Sequence, residues 1–544
     1  MAFLDLFQSN APPSPQDRLF VQTKLHSLEL EIVELETTLQ DLQTRHTQLL
    51  SERQRHRCVL APIRRLPAEL VGEIFSYFTP RLPSDFELRI RNRDSRMLSR
   101  PPWFLAHICS SWRTIALSLG PLWATFDANL ADSRLPHSGH TWMLESQRAE
   151  VDQAVFYEGG AAIQLAMDEM EMYLRLSGNT SIKVLLNVGR FAALPVLRFL
   201  LRHSWKLGEL VLYHPCWLLL HHLKNMQQSY PRLRRLAIVP NYEEGIDDLQ
   251  STFSWAQAPN LKELFIFGDV LFVERGVPWA QLTSFTHSGM VLRDGVLDCI
   301  SHRLVHLTEL KINCSSFCQL DSSQIGTIEL PCLRVAAFSL RSASYRRHTF
   351  LSRIFRMPAL EAFALHVRQL FSLADGIPFE AQGLRILRLT APGVGLDGFE
   401  PNTTGKILRE FPKLEELSLQ VLGVFSETTL ADLTPRRDST ELPLLPELRT
   451  LRLSGDALGD DLCRWTTLVD MLKARLDPRP DLRALGLKPL RIFEFTPPVT
   501  YAHEIDMNVV AGLRALARKR RWDIRAHDDC RVPDWDEIGL HDLR

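Results

Sequence analysis

Along the first sixty residues, apolar side chains recur in alternating steps of four and three: Val21, Leu25, Leu28, Ile32, Leu35, Leu39, Leu42 and Leu49, with His46 in the one polar slot. This spacing is an a/d heptad seam. No proline or glycine interrupts residues 16–60, so the pattern predicts one long coiled-coil helix over 17–60. About 40 such residues would extend roughly 60 Å at 1.5 Å each. So narrow a stripe suits a partner helix, which would make a homodimer, or a fold-back onto the rest of the chain, and the pattern leaves both open. Residues 1–16, ending in the proline-rich stretch APPSPQ, are expected to be disordered.

Pro62 forces a turn, and LPAELVGEIFSYF follows at 66–78. Pro67 suits the start of a helix. Leu70, Ile74 and Phe78 then recur at i, i+4 and i+8, flanked by Val71, Phe75 and Tyr77. A short helix apolar over most of its circumference cannot bury that surface alone. The arginine- and proline-rich residues 79–102 are expected to form a loop. A second amphipathic helix is predicted over 102–123, with Leu105, Ile108, Cys109, Trp112, Ile115, Ala116 and Leu119 on one face and Gly120-Pro121 as its stop.

Beyond residue 180 the pattern changes to L-x-x-L-x-L. It recurs as LGELVL (207), LRRLAI (233), LKELFI (261), LTSFTH (282), LTELKI (307), LRVAAF (333), LEAFAL (360), LRILRL (384), LEELSL (414), LRTLRL (448) and LRALGL (482). A period near 26 residues with this motif is the signature of leucine-rich repeats. The expected fold is therefore α/β: a leucine-rich-repeat-like solenoid, parallel sheet plus helices, over 181–527. A small all-α module (62–126, with the loop 79–102 inside it) and the long N-terminal helix precede it. Residues 127–180 are expected to be a linker or helical cap, 421–447 an exposed loop, and 528–544 an acidic tail.

Composition narrows the function. The formal net charge is −1, which creates no global field for nucleic acid or an anionic membrane. The longest apolar runs are far short of a bilayer span, and the first residues lack the basic region of a secretory signal. Nine cysteines in 544 residues then suggest reduced thiols, in the cytoplasm or nucleus. The RKRR run at 518–521 reads as a helix C-terminus in preference to an import or nucleic-acid signal.

The stretch 62–123 resembles an F-box. The family pattern is carried by Leu66, Pro67, Glu69, Ile74 and Phe75, then by Ile108, Cys109, Trp112 and Arg113. The layout, coiled-coil helix, PIRRLP, PWFLAHICSSWR and degenerate repeats, is similar to F-box proteins of mushroom-forming fungi. The 24 residues between the two halves exceed what a compact F-box contains. The resemblance implies docking onto a Skp-family adaptor, and through it onto a cullin in a ubiquitin ligase, with Leu66, Pro67, Leu70, Ile74 and Phe75 at the interface. Trp112 would belong to the module's own core. The repeat domain would hold an unidentified protein substrate.

Strand alternation sends the residues between the motif leucines to the concave face. Phe265, Phe267, Lys311, His366, Arg388 and Arg452 are the candidate substrate contacts, since aromatics and arginine dominate hot spots. The other expectation is that a helix or insert covers the two phenylalanines. No catalytic residue, cofactor or metal is expected. GVGLDG (393–398) lacks the helix that must open directly from a dinucleotide-binding loop. Gly405-Lys406 lacks the hydroxyl and spacing of a P-loop, and Cys314 and Cys318 lack the other ligands of a structural zinc. Two functions remain: a substrate-recruiting ligase adaptor, or a binding scaffold that uses the repeats and coiled coil without a ligase.

Overall fold

The computed structural model describes residues 14–79, 102–129, 160–187, 194–213, 229–239, 257–267, 277–292, 294–317, 327–340, 354–367, 381–395, 403–422, 426–435, 442–454 and 462–496. The expected disordered start, the loop 79–102, the RKRR run and the acidic tail lie largely or wholly outside them. The chain divides into two compact units between Tyr77 and Phe78.

In the first unit, helix α1 spans Pro15–Val59. Its start is a reciprocal cap: Asp17 N donates to Ser14 Oγ (3.2 Å), and Ser14 N and Oγ donate to Asp17 Oδ2 (3.3 and 2.5 Å). Pro15 stands at the first helical position, where its missing N–H costs nothing. Threonine is a modest helix former, but here Thr23, Thr37, Thr38, Thr44 and Thr47 each turn the hydroxyl back onto a carbonyl three or four residues earlier. A 3₁₀ turn (Pro62–Arg65) leads to helix α2 (Ala68–Ser76), with Pro67 in the cap position.

The second unit opens with α3 (Trp103–Ile108) and α4 (Ser110–Ser118). The single helix expected over 102–123 is thus two. Cys109 breaks it in extended conformation (φ −160°), and its Sγ accepts from Trp112 N. Arg113 Nε closes the corner by donating to the Ala106 carbonyl at 2.9 Å. Gly120 starts a 3₁₀ turn through Trp123. A β-carbon at Gly120 would lie 2.7 Å from the Ser177 carbonyl oxygen, which explains why the stop is glycine.

A parallel sheet follows, with thirteen strands among the described residues arranged in chain order. They are β1 (Thr125–Asn129), β2 (Ile182–Asn187), β3 (Leu207–Tyr213), β4 (Arg235–Val239), β5 (Glu263–Phe267), β6 (Ser284–Leu292), β7 (Glu309–Phe317), β9 (Val335–Leu340), β11 (Ala362–Val367), β12 (Ile386–Gly395), β13 (Glu416–Leu422), β14 (Thr450–Ser454) and β15 (Ile492–Thr496). Two short strands, β8 (Ile328–Glu329) and β10 (Phe355–Arg356), pair separately. The described helices of this part are α5 (Gly160–Leu176), α6 (Leu194–Arg202), α7 (Asp294–Arg303), α8 (Thr403–Arg409), α9 (Glu427–Leu433), α10 (Leu462–Leu476) and α11 (Pro480–Ala484). The architecture is α/β and solenoid-like.

The repeat is visible in the backbone. The first leucine of successive motifs closes a turn onto the carbonyl three residues back, as Leu233 does on Tyr230, Leu333 on Leu330 and Leu414 on Phe411. The carbonyl of the next residue then accepts two N–H groups from the following strand. Arg234 accepts from Lys262 and Glu263, Lys262 from Thr283 and Ser284, and the pattern continues to Arg449, which accepts from Arg491 and Ile492. The motif leucines face one side. Leu210, Leu236, Leu264, Leu310, Leu387, Leu417 and Leu451 are all 2 % exposed or less and share one continuous core.

Three boundaries differ from the sequence reading. The sheet begins at Thr125, within the expected helical module, not at 181. LRALGL at 482 forms α11 and a turn through Gly486 (φ 109°), and the last strand is Ile492–Thr496. Pro480 at a helix N-terminus makes the earlier segment helical. The expected loop 421–447 contains α9, whose Ser426 cap accepts from Thr429 N (3.1 Å) and whose Leu430 and Leu433 are buried.

Candidate functional site

Helix α2 is divided by burial. Val71, Gly72 and Phe75 are buried, whereas Leu70 is 51 % exposed, Ile74 36 % and Tyr77 80 %. Leu70 and Ile74 are one turn apart on the same side. Pro67 is exposed and Leu66 half-buried. Of the five residues expected at an adaptor interface, four retain surface. Phe75 does not, because its ring fills the buried side of the helix.

In the second unit, Trp123 is fully buried. Its Nε1 donates to the Ala116 carbonyl at 2.7 Å. Its ring meets Trp103 and Tyr173 edge-on, at 4.8 and 5.7 Å between centroids. This indole ties α4 to α3 and α5. Trp112, expected in the module's core, is half-buried.

The outer face of the sheet lies opposite the leucine core. Its register places Leu185, Val211, Ala237, Phe265, Thr286 and Lys311 in one row across β2 to β7. The row continues through Ala337, Ala364, Arg388, Ser418, Arg452 and Glu494. The face is apolar over β2–β5, where Leu185, Val211, Tyr213, Ala237 and Phe265 form a second buried cluster, with Val239 and Phe267 packed against it. Phe265 has no exposure, so of the two expectations for it the exposed aromatic is not met. The Arg235 guanidinium lies 5.1 Å from its ring centroid, and Phe267 keeps part of its surface.

Charges on this face are paired, mostly from strand to strand and once within a strand, between Glu309 and Lys311. Lys183 contacts Glu209 at 2.6 Å, and Arg235 lies 3.6 Å from Glu209 and 3.8 Å from Glu263. Glu309 holds Lys311 Nζ at 2.8 Å with one carboxylate oxygen and accepts from Ser284 Oγ at 3.1 Å with the other. At the far end, Glu416 Oε1 accepts from Arg388 Nε (2.7 Å) and Arg452 Nη1 (2.5 Å), and Arg452 Nε donates to Glu494 (2.7 Å). The Arg388 side chain is 3 % exposed and that of Arg452 27 %. His366 is buried between Ser339 and Thr390 of the neighbouring strands.

The register therefore brings the six candidate contacts to one face but leaves them unequal. Phe265, His366 and Arg388 are buried, Lys311 is nearly so, and Phe267 and Arg452 retain appreciable surface. The sequence reading omitted Glu416 and Glu494, the carboxylates that neutralise the arginines. Aligning the motifs at their first outward position gives Glu209, Arg235, Glu263, Ser284, Glu309 and, further along, Glu416, which is the signal for one of the two. Among the described residues no group of three or more His, Cys, Asp or Glu is placed to hold a metal, and no helix is long and apolar enough to cross a membrane. No family model matches the chain, and no curated protein matches it.

Proposed function

We propose that the chain is an F-box-type substrate adaptor of a cullin-based ubiquitin ligase, with no chemistry of its own. Helix α2 docks a Skp-family adaptor, and the leucine-rich-repeat-like sheet holds a protein substrate in the cytoplasm or nucleus. One observation carries the reading: Leu70, Ile74 and Tyr77 stay exposed on a helix whose Val71 and Phe75 are buried. An apolar side about two turns long, adjoining exposed Pro67, suits a partner that supplies the missing apolar surface. Leu66, Pro67, Leu70 and Ile74 make that contact, while Phe75 shapes the helix from behind. On the sheet, Phe267 and Arg452 are the contacts best placed for substrate. The exposed seam of α1 favours a second reading, a scaffold that works through helix pairing and repeats without a ligase.

Co-purification of the full chain with a Skp-family adaptor tests the first reading. Stoichiometric binding abolished by Leu70→Asp/Ile74→Asp supports it. A folded wild-type chain that fails to bind overturns it in favour of the scaffold.

A further inference from the structure

Helix α1 carries a feature independent of the adaptor reading. Its seam residues Leu25, Leu28, Ile32, Leu35, Leu39, Leu42 and Leu49 are between 45 % and 66 % exposed. The charges beside them are segregated along the helix. From Lys24 to Asp41 there are five carboxylates and one lysine, and from Arg45 to Arg57 four arginines and one carboxylate.

We infer that α1 pairs with α1 of a second copy of this chain in antiparallel orientation, about a two-fold axis near Thr37. This orientation matches the seam with one offset. Leu25 meets Leu49 of the second copy, Leu28 meets His46, Ile32 meets Leu42, and Leu35 meets Leu39, with the same layers repeated by symmetry. The flanking positions then place Lys24 near Glu52 of the second copy and Glu31 near Arg45, so the acidic half of each helix lies along the basic half of the other. The parallel in-register alternative has attractive flanks too, Lys24 beside Glu29 and Glu52 beside Arg57 of the second copy. It sets Glu31 against Glu36 twice, however, whereas the antiparallel form opposes like charges once, Glu36 on Glu36 near the axis. Flanking charges of this kind set partner and orientation in helix pairs. The two Glu31–Glu36 repulsions count against the parallel form. The antiparallel contact is self-complementary and closes as a dimer.

The test uses the full chain, mixed from ¹⁴N- and ¹⁵N-labelled preparations. Sedimentation gives the mass, and carbodiimide cross-linking with mass spectrometry gives the orientation. The expected result is a dimer with isotopically hybrid Lys24–Glu52 cross-links. Within one copy these residues are 28 positions apart, about 42 Å along the helix. Lys24→Glu should weaken the dimer by about tenfold, and adding Glu52→Lys should restore it. A monomer, a dimer whose hybrid cross-links join Lys24 to Glu29, or a dimer indifferent to both charge reversals overturns the inference. The substituted positions are exposed, so helicity by circular dichroism should be unchanged in every variant.

Discussion

Arg388 and Glu416 form a buried ion pair across neighbouring strands of the sheet's outer face. Nε donates to Oε1 at 2.7 Å, and only 3 % of the arginine side chain is exposed. Glu416 Oε1 serves two arginines, Arg388 and Arg452. Glu416→Ala removes an acceptor from both and should lower stability more than Arg388→Met, which keeps the side-chain volume and leaves the carboxylate bound to Arg452. The latter should cost less than about 1.5 kcal/mol. Urea unfolding of the two variants checks the asymmetry. Equal losses would show that the pair is not the determinant.

Arg475 is a second buried cation, with a different solution. It has no exposure, and burial pushes its guanidinium down to about 9. It stays charged at neutral pH and donates to the carbonyls of Leu433 (2.8 Å), Leu445 (2.8 Å) and Leu444. Leu445 holds a left-handed backbone at φ 55°, so the guanidinium also fixes a strained turn. Lysine carries its three donors on a single nitrogen, which cannot stand in all three places where Nε, Nη1 and Nη2 meet different carbonyls. Arg475→Lys should cost about 2–4 kcal/mol, at about 1–3 kcal/mol for each carbonyl left unsatisfied. Hydrogen exchange in Leu442–Ser454 should accelerate, and unchanged protection there would refute the role.

Glu169 on α5 gives a pH signature. Its Oε2 is buried without a hydrogen-bond partner, and burial holds its carboxyl above the usual value of 4.5. A raised carboxyl favours the neutral form. Its contribution is fully present below the unfolded value and is lost as pH rises through the folded one. Glu169→Gln should thus raise the melting temperature at pH 7, with the gain shrinking towards pH 4. A gain independent of pH would point to packing instead.

The sheet was readable from sequence because parallel strands in register repeat one local rule. Ten of the eleven motif matches coincide with strands. The eleventh failed at 482 because a proline-started helix can carry the same leucine spacing as a strand, and the strand itself, LRIFEF from Leu490, uses phenylalanines in place of leucines. Helix α9 was hidden in a Ser/Thr-rich stretch whose Ser426 is a cap. On the outer face, alternation predicted which way Arg388 points but not what meets it. Glu416 is 28 residues away and becomes its neighbour only through the register of β12 and β13.

On α2, burial separates residues that the family resemblance grouped together. Leu70→Ala and Ile74→Ala should each weaken adaptor binding while leaving the melting temperature within about 1 °C, because both side chains are exposed. Phe75→Ala should destabilise the chain by about 3–5 kcal/mol whether or not an adaptor is present. Thermal denaturation and binding measured on the same three variants separate docking residues from packing residues. An Ile74→Ala variant that loses stability but not affinity would reverse that assignment.

The most direct measurement is calorimetric titration of the full-length chain with a Skp-family adaptor, wild type against Leu70→Asp/Ile74→Asp. The account predicts one-to-one binding by the wild type and a loss of about 100-fold or more in the variant, with both proteins equally folded. A folded wild type that gives no heat of binding, or a variant that binds as tightly as the wild type, would contradict it.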